Sequence, residues 1–183
     1  MCERASFIAI RGGKIAWLIG SDSHDEIIKA EGLEDKDLCD RRFVRVECTP
    51  KADPFSTNQK EWEVKEDELE NTLPAWYEHE EWVPKILDEL TLRRIPEERR
   101  TGTIGKLVIP ASTEYSLPWL RKAADIYVLE NATLTAPVLA QAADIDVREN
   151  ATLTAPVLAQ ARNIYVLENA TLTAPVLAQA ADI

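Results

Sequence analysis

The chain has 183 residues, with 32 acidic against 21 basic side chains and a formal net charge of -11. That length suits one domain or two small ones, the acidity disfavours direct binding to nucleic acid or anionic membranes, and no apolar run reaches the length of a membrane span. Cys2, Cys39 and Cys48 are odd in number and lack C-x-x-C spacing, which fits a reducing compartment rather than a disulfide frame or a zinc site.

From the start, residues 6–10 and 14–19 read as short strands joined by Arg11-Gly12-Gly13, a hairpin. No apolar stretch of signal-peptide length precedes them. Ser23 and Glu26 form a capping box for a helix whose buried side is Ile27 and Ile28 and whose end is Gly32. His24, between Asp22 and Asp25, is the local cluster with a catalytic look, since an imidazole beside carboxylates can serve as a general base or a metal ligand. The helix start accounts for the same residues without chemistry. Residues 42–48 alternate as a third strand, Pro50 and Pro54 mark a loop, and residues 60–64 form a fourth strand. Residues 73–92 are mostly helical, with an interruption expected at Pro84.

Residues 61–90 carry eleven Asp and Glu against Lys65 and Lys85, together with Trp62, Trp76, Tyr77 and Trp82. Two readings stand side by side: the tryptophans form the core of the module, or Trp76 and Trp82 with Glu78, Glu80 and Glu81 form an acidic aromatic contact surface for a protein partner.

The last third repeats a single unit almost without error: 124–142, 143–161 and 162–180, followed by 181–183 as the start of a further unit. Stepping back by one period from Ile126, Val128, Pro137 and Leu139 gives Leu107, Ile109, Pro118 and Leu120, so 105–123 is a degenerate first coil. Fixed Ile and Val alternate with tolerant positions, as in a strand with one buried face, and Ala132-Thr133-Leu134-Thr135-Ala136 alternates again before a corner at Pro137. These patterns predict an α+β N-terminal module over 1–104 and a C-terminal parallel β-solenoid over 105–183. A competing reading makes Val-Leu-Ala-Gln-Ala-Ala-Asp a short helix in an α/β solenoid.

Asn131, Asn150 and Asn169 each open Asn-Ala-Thr, which reads as a ladder of amides rather than as glycosylation sites. Glu130, Glu149 and Glu168 form one acidic column; Asp125 and Asp144 belong to another, which Asn163 interrupts. Two acidic rows along a rigid rod imitate regularly spaced phosphates and fit a basic channel. The unpaired edge of the final coil, with Ile164, Val166 and Ile183, is expected to pair with a second copy as a homodimer.

The unit I-x-V-x-E-N-A-T-L-T-A-P-V-L-A resembles the short solenoid repeats of phage and prophage proteins, and the segments SDSHDEII, RRFVRVECTP and PAWYEHEEW are similar to modules that accompany such repeats. The resemblance implies a mobile-element setting in the bacterial cytoplasm and, by analogy, an inhibitor of the anti-CRISPR kind. The expectation is therefore a non-enzymatic, cofactor-free and metal-free acidic protein that blocks a basic, nucleic-acid-handling surface of a protein complex. Two alternatives stay open: an enzyme or toxin-like module around His24 with the solenoid as scaffold, and a structural protein that assembles end to end.

Overall fold

The computed structural model describes residues 5–33, 42–66 and 73–178. The chain divides into two units, 1–96 and 97–183.

In the first unit, strands β1 (Ala5–Ile10), β2 (Lys14–Ala16), β3 (Phe43–Pro50) and β4 (Trp62–Glu66) form an antiparallel sheet in the order β2-β1-β3-β4. The β1–β2 hairpin turns on Gly12 and Gly13, whose φ of 104° and 101° only glycine adopts without strain. Strand β1 is buried on both faces. Ala5, Phe7 and Ala9 pack with Val44, Val46, Trp82, Ile86 and Leu90, while Ile8 packs with Phe43, Ile27 and Ile28 of helix α1 (His24–Ala30). Helix α1 has the expected N-cap, with Ser23 Oγ accepting from Glu26 N at 3.4 Å, but the other half of the capping box is replaced: Ser23 N donates to Ser21 Oγ at 3.1 Å rather than to Glu26.

The interruption expected at Pro84 does not occur. Pro84 lies inside helix α2 (His79–Asp88), which runs on through a π-helical segment (Glu89–Arg94) into α3 (Ile95–Thr101). Pro84 and Glu80 are both exposed, so the carbonyl that the proline leaves without an N–H faces water. Pro96 is accommodated differently. The widened turn before it, with Ile95 N–H bonded five residues back to Leu90, opens the space that the ring needs against the preceding turn.

That widened segment also carries Arg94, which is fully buried. Its Nη1 donates to the Ser6 carbonyl at 2.9 Å, its Nη2 pairs with the Asp22 carboxylate, and its guanidinium lies 5.3 Å from the Phe7 ring centroid. A charge in this position is tolerable only because its donors are matched.

In the second unit, two parallel four-stranded sheets build the solenoid. One is β11-β9-β7-β5, from Thr103–Ile109 (β5), Lys122–Val128 (β7), Gln141–Val147 (β9) and Asn163–Val166 (β11). The other is β12-β10-β8-β6, from Glu114–Ser116 (β6), Thr133–Thr135 (β8), Thr152–Thr154 (β10) and Thr171–Thr173 (β12). Partners are one repeat apart, as in Leu107↔Ile126, Ile126↔Ile145 and Ile145↔Ile164. Ile126, Val128, Ile145, Val147, Leu134, Leu139, Leu153 and Leu158 are fully buried, so the inward columns are those that the alternation predicts.

The helical reading of Val-Leu-Ala-Gln-Ala-Ala-Asp is corrected: Gln141-Ala142-Ala143-Asp144 belongs to β9. Ala124 and Ala143 are unbridged and Ala123 and Ile126 are both buried, so each coil breaks the two-residue alternation at the same place while the register from coil to coil is kept. Each Pro-Val corner is a β-turn closed by a bond such as Leu139 N to Ala136 O at 3.2 Å, with proline where no donor is needed. The first coil starts at Gly102, which also terminates α3. At φ 69° its N–H bonds Glu98 O, and a Cβ there would meet the Trp119 carbonyl at 2.6 Å. Among the described residues, no helix is long and apolar enough to cross a membrane.

Two stability outcomes follow from these cores. Ile145→Ala, in a coil with neighbours on both sides, should cost ~2–5 kcal/mol in urea unfolding. Tyr165→Ala, on a half-exposed ring of the outer face, should stay within ~0.5 kcal/mol of wild type. In the first unit, Asp22→Ala removes a carboxylate partner from the fully buried Arg94 and should cost ~3–5 kcal/mol. Lys14→Ala, which breaks an exposed pair with Glu31, should leave the unfolding midpoint nearly unchanged.

Candidate functional site

The two acidic columns occupy different environments. Glu130, Glu149 and Glu168 sit in stacked tight turns and are exposed. Each turn closes through a bond such as Ala132 N to Leu129 O at 3.0 Å, and its third residue has a positive φ: 57° at Ser112, 58° at Asn131, 57° at Asn150 and 55° at Asn169. Asparagine tolerates this left-handed conformation better than other non-glycine residues, which explains the invariant Asn column. The ladder expected there is made by the backbone. Asn131 N donates to Glu149 O at 3.0 Å and Asn150 N to Glu168 O at 3.2 Å, so the turns stack and their glutamates project in a row. Among the described residues, no cation pairs with Glu130, Glu149 or Glu168.

The aspartate column is neutralised. Asp144 receives Arg162 Nε at 3.1 Å and Nη2 at 2.7 Å, and Asn163 Nδ2 at 2.9 Å. The Arg162 contacts, and secondarily Asn163, hold the Asp144 carboxyl below its ordinary range. In the next outward column of the same strand, Asp146 pairs with Arg148 of its own coil at 3.2 Å. Asp125 is half-buried and stands in register with Lys106 and Asp144. Beside it, Lys106 lies over the Tyr127 ring at 5.4 Å, and burial, aided by Asp125, Asp144 and Asp146, pushes the Tyr127 hydroxyl pKa up. Gln141 Nε2 donates to Gln160 Oε1 at 3.1 Å, a side-chain ladder that the sequence reading missed although the column is invariant.

In the first unit the aromatic residues separate. Trp62 and Trp82 are buried in the core, the first with its Nε1 on the Ser56 carbonyl at 2.9 Å. Trp82 is therefore a packing residue, stacked on Tyr77 at 5.6 Å, and not an outward anchor. Trp76 is half-buried against both. Glu78, Glu80 and Glu81 are exposed at the start of α2, where negative charge favours a helix N-terminus, and Glu81 pairs with Lys85 at 2.5 Å. His24 is buried, with Nε2 3.1 Å from the Val46 carbonyl, so its imidazole bridges α1 to β3 inside the protein.

The other histidine was not a sequence candidate, because its partner lies in a different element, on β4. His79 Nδ1 meets Glu66 Oε1 at 2.7 Å, and the same oxygen accepts from the Tyr77 hydroxyl at 2.9 Å. This holds the ring of the half-exposed His79 against β4. Among the described residues, no group of three or more His, Cys, Asp or Glu is placed to hold a metal. Cys48 is buried, and that burial pushes its thiol up to about 12, keeping it protonated and unreactive.

At the solenoid's last described coil, Ile164 remains buried, whereas Val166 is exposed, unlike its column mates Val128 and Val147. Ile183 lies outside the described residues.

Compared with known proteins, the chain matches no family model, no curated protein and no solved structure.

The Asp144 pairing carries a pH signature. A carboxyl held below its ordinary value contributes stability that is present above that value and lost as pH falls through the folded one. Arg162→Ala should therefore lower the melting temperature at neutral pH, and the gap to wild type should close as the pH drops below about 4. A gap of constant size across that range would mean that Arg162 acts through packing.

Proposed function

We propose that the protein is a non-enzymatic binding protein that presents an acidic edge to a basic surface of a protein partner. The observation that carries this reading is the row of Glu130, Glu149 and Glu168. The three are exposed, held in line by the turn ladder and, among the described residues, paired with no cation, on a chain of net charge -11. A rigid row of carboxylates attracts cationic partners at long range and loses little entropy on docking. Glu78 and Glu80 supply a second acidic surface, in the first unit. The finer form of the reading is an inhibitor of the anti-CRISPR kind, acting on a nucleic-acid-handling complex in a bacterial cytoplasm. It rests on the resemblance of the repeat and on the likeness of an acidic row to phosphates.

The test is affinity capture from a bacterial lysate with the wild type and with a Glu130→Lys/Glu149→Lys/Glu168→Lys variant. A partner held through this edge should be captured by the wild type, be released steeply by salt, and be lost from the variant, whose circular dichroism and melting should match the wild type. A partner retained equally by the variant, without salt dependence, would remove the site from this edge.

A further inference from the structure

The segment Asn-Ala-Thr-Leu-Thr-Ala-Pro-Val-Leu-Ala recurs unchanged at 131–140, 150–159 and 169–178 and holds no charged residue, in a chain where 29% of residues are charged. Its strands β8, β10 and β12 pair in strict register, Thr133↔Thr152↔Thr171 and Thr135↔Thr154↔Thr173. Leu134 and Leu153 between the threonines are fully buried, so the threonines point outward. The outer face of the β6-β8-β10-β12 sheet is therefore a grid of threonines, two columns wide and three coils deep.

The hydroxyls of this grid differ from the other polar columns of the solenoid. Gln141 and Gln160 bond each other, and Asp144 and Asp146 are engaged by Arg162, Asn163 and Arg148. Among the described residues, none of the six threonine hydroxyls has a hydrogen-bond partner within the protein. Each is left to bind water, and β-branching restricts its χ1, so the backbone sets where that water sits. Equivalent positions recur about 4.8 Å apart from coil to coil and about 6.6 Å apart along each strand, a rectangular net within about a tenth of the oxygen net on the prism face of hexagonal ice, about 4.5 by about 7.4 Å.

The face suits other ligands poorly. It offers no cation for a nucleic acid, and threonine is under-represented among the residues that carry binding energy between proteins. A net of fixed hydroxyls, without a charge to reorient the water over it, fits water that is already ordered on a matching lattice. The net stops at the first coil, where Glu114 and Ser116 stand in register with Thr133 and Thr135 and place a carboxylate in one column.

We propose that the threonine face of the β6-β8-β10-β12 sheet binds ice. It is a second surface, independent of the glutamate edge.

The test follows single ice crystals in solutions of the full chain, with recrystallisation of polycrystalline ice as a second readout. The wild type should facet the crystals, arrest their growth over a measurable interval below the melting point, and slow recrystallisation. Thr154→Tyr, which raises a ring in the middle coil of the grid, should lose these effects while circular dichroism and melting temperature stay those of the wild type. Glu114→Thr/Ser116→Thr, which extends the net by one coil, should widen the interval of arrested growth. The triple glutamate-to-lysine variant should act on ice as the wild type does, which separates this proposal from the acidic-edge reading. Ice that grows as in buffer alone, effects that Thr154→Tyr leaves intact, or an interval that the extended net does not widen would each overturn it. So would a doubled sedimenting mass that Thr154→Tyr abolishes, since the face would then be a contact between two copies of the chain.

Discussion

The solenoid depends on one constraint, the in-register parallel pairing of each coil with the coil that follows it. Pairing of this kind places every residue against its own counterpart, so a column is stable only if its residue type packs on itself. Aliphatic side chains meet that condition inside, as Ile126, Ile145 and Ile164 do. Amides meet it outside by donating and accepting in turn, as Gln141 and Gln160 do. Threonine meets it by β-branched packing. Charged residues fail it, and the sheet and the turn resolve that failure differently.

Like charges one strand spacing apart repel by about 1 kcal/mol in bulk water and by more where solvent is partly excluded. The glutamates stand at exposed turns on long side chains and can splay into water. Aspartates are shorter and sit half-buried on the strand, where the repulsion is less screened. That difference in environment accounts for Arg162 and Asn163 gathering on Asp144 while the Glu column, among the described residues, carries no countercharge. It also leaves the glutamate edge as the strongest uncompensated charge of the repeat.

The architecture was legible because translation amplifies a weak signal. One coil alone does not distinguish strand from helix, but three copies show which columns never change, and Ile145 and Leu153 proved inward as the alternation implied. Features that depend on geometry between columns were less legible. The Asn column reads as an amide ladder in sequence, whereas its shared property is a positive φ with a backbone ladder. Arg148 and Arg162 read as tolerance, although each lies beside the acid that it neutralises. Within the first unit there is no repetition to average over. Trp82 in the core and the His79–Glu66 pair depend on contacts between elements, which no local window contains, and Pro84 is tolerated inside α2 because its turn is exposed.

A scaffold built by translation separates stability from recognition. The inward columns and the backbone ladder hold the coils, so outward columns can change while the fold persists, provided that each change solves its own electrostatic problem. Asp146 with Arg148, and Arg162 with Asn163 on Asp144, are changes of that kind. The same logic makes the backbone at every outward position rigid before any partner arrives. The cost of ordering a binding surface is then met during folding, and even modest contacts, repeated at one spacing, can add along the stack. A ligand that gains from this must itself repeat, or present its own row of matching groups. The edge of stacked turns offers such a row in charge.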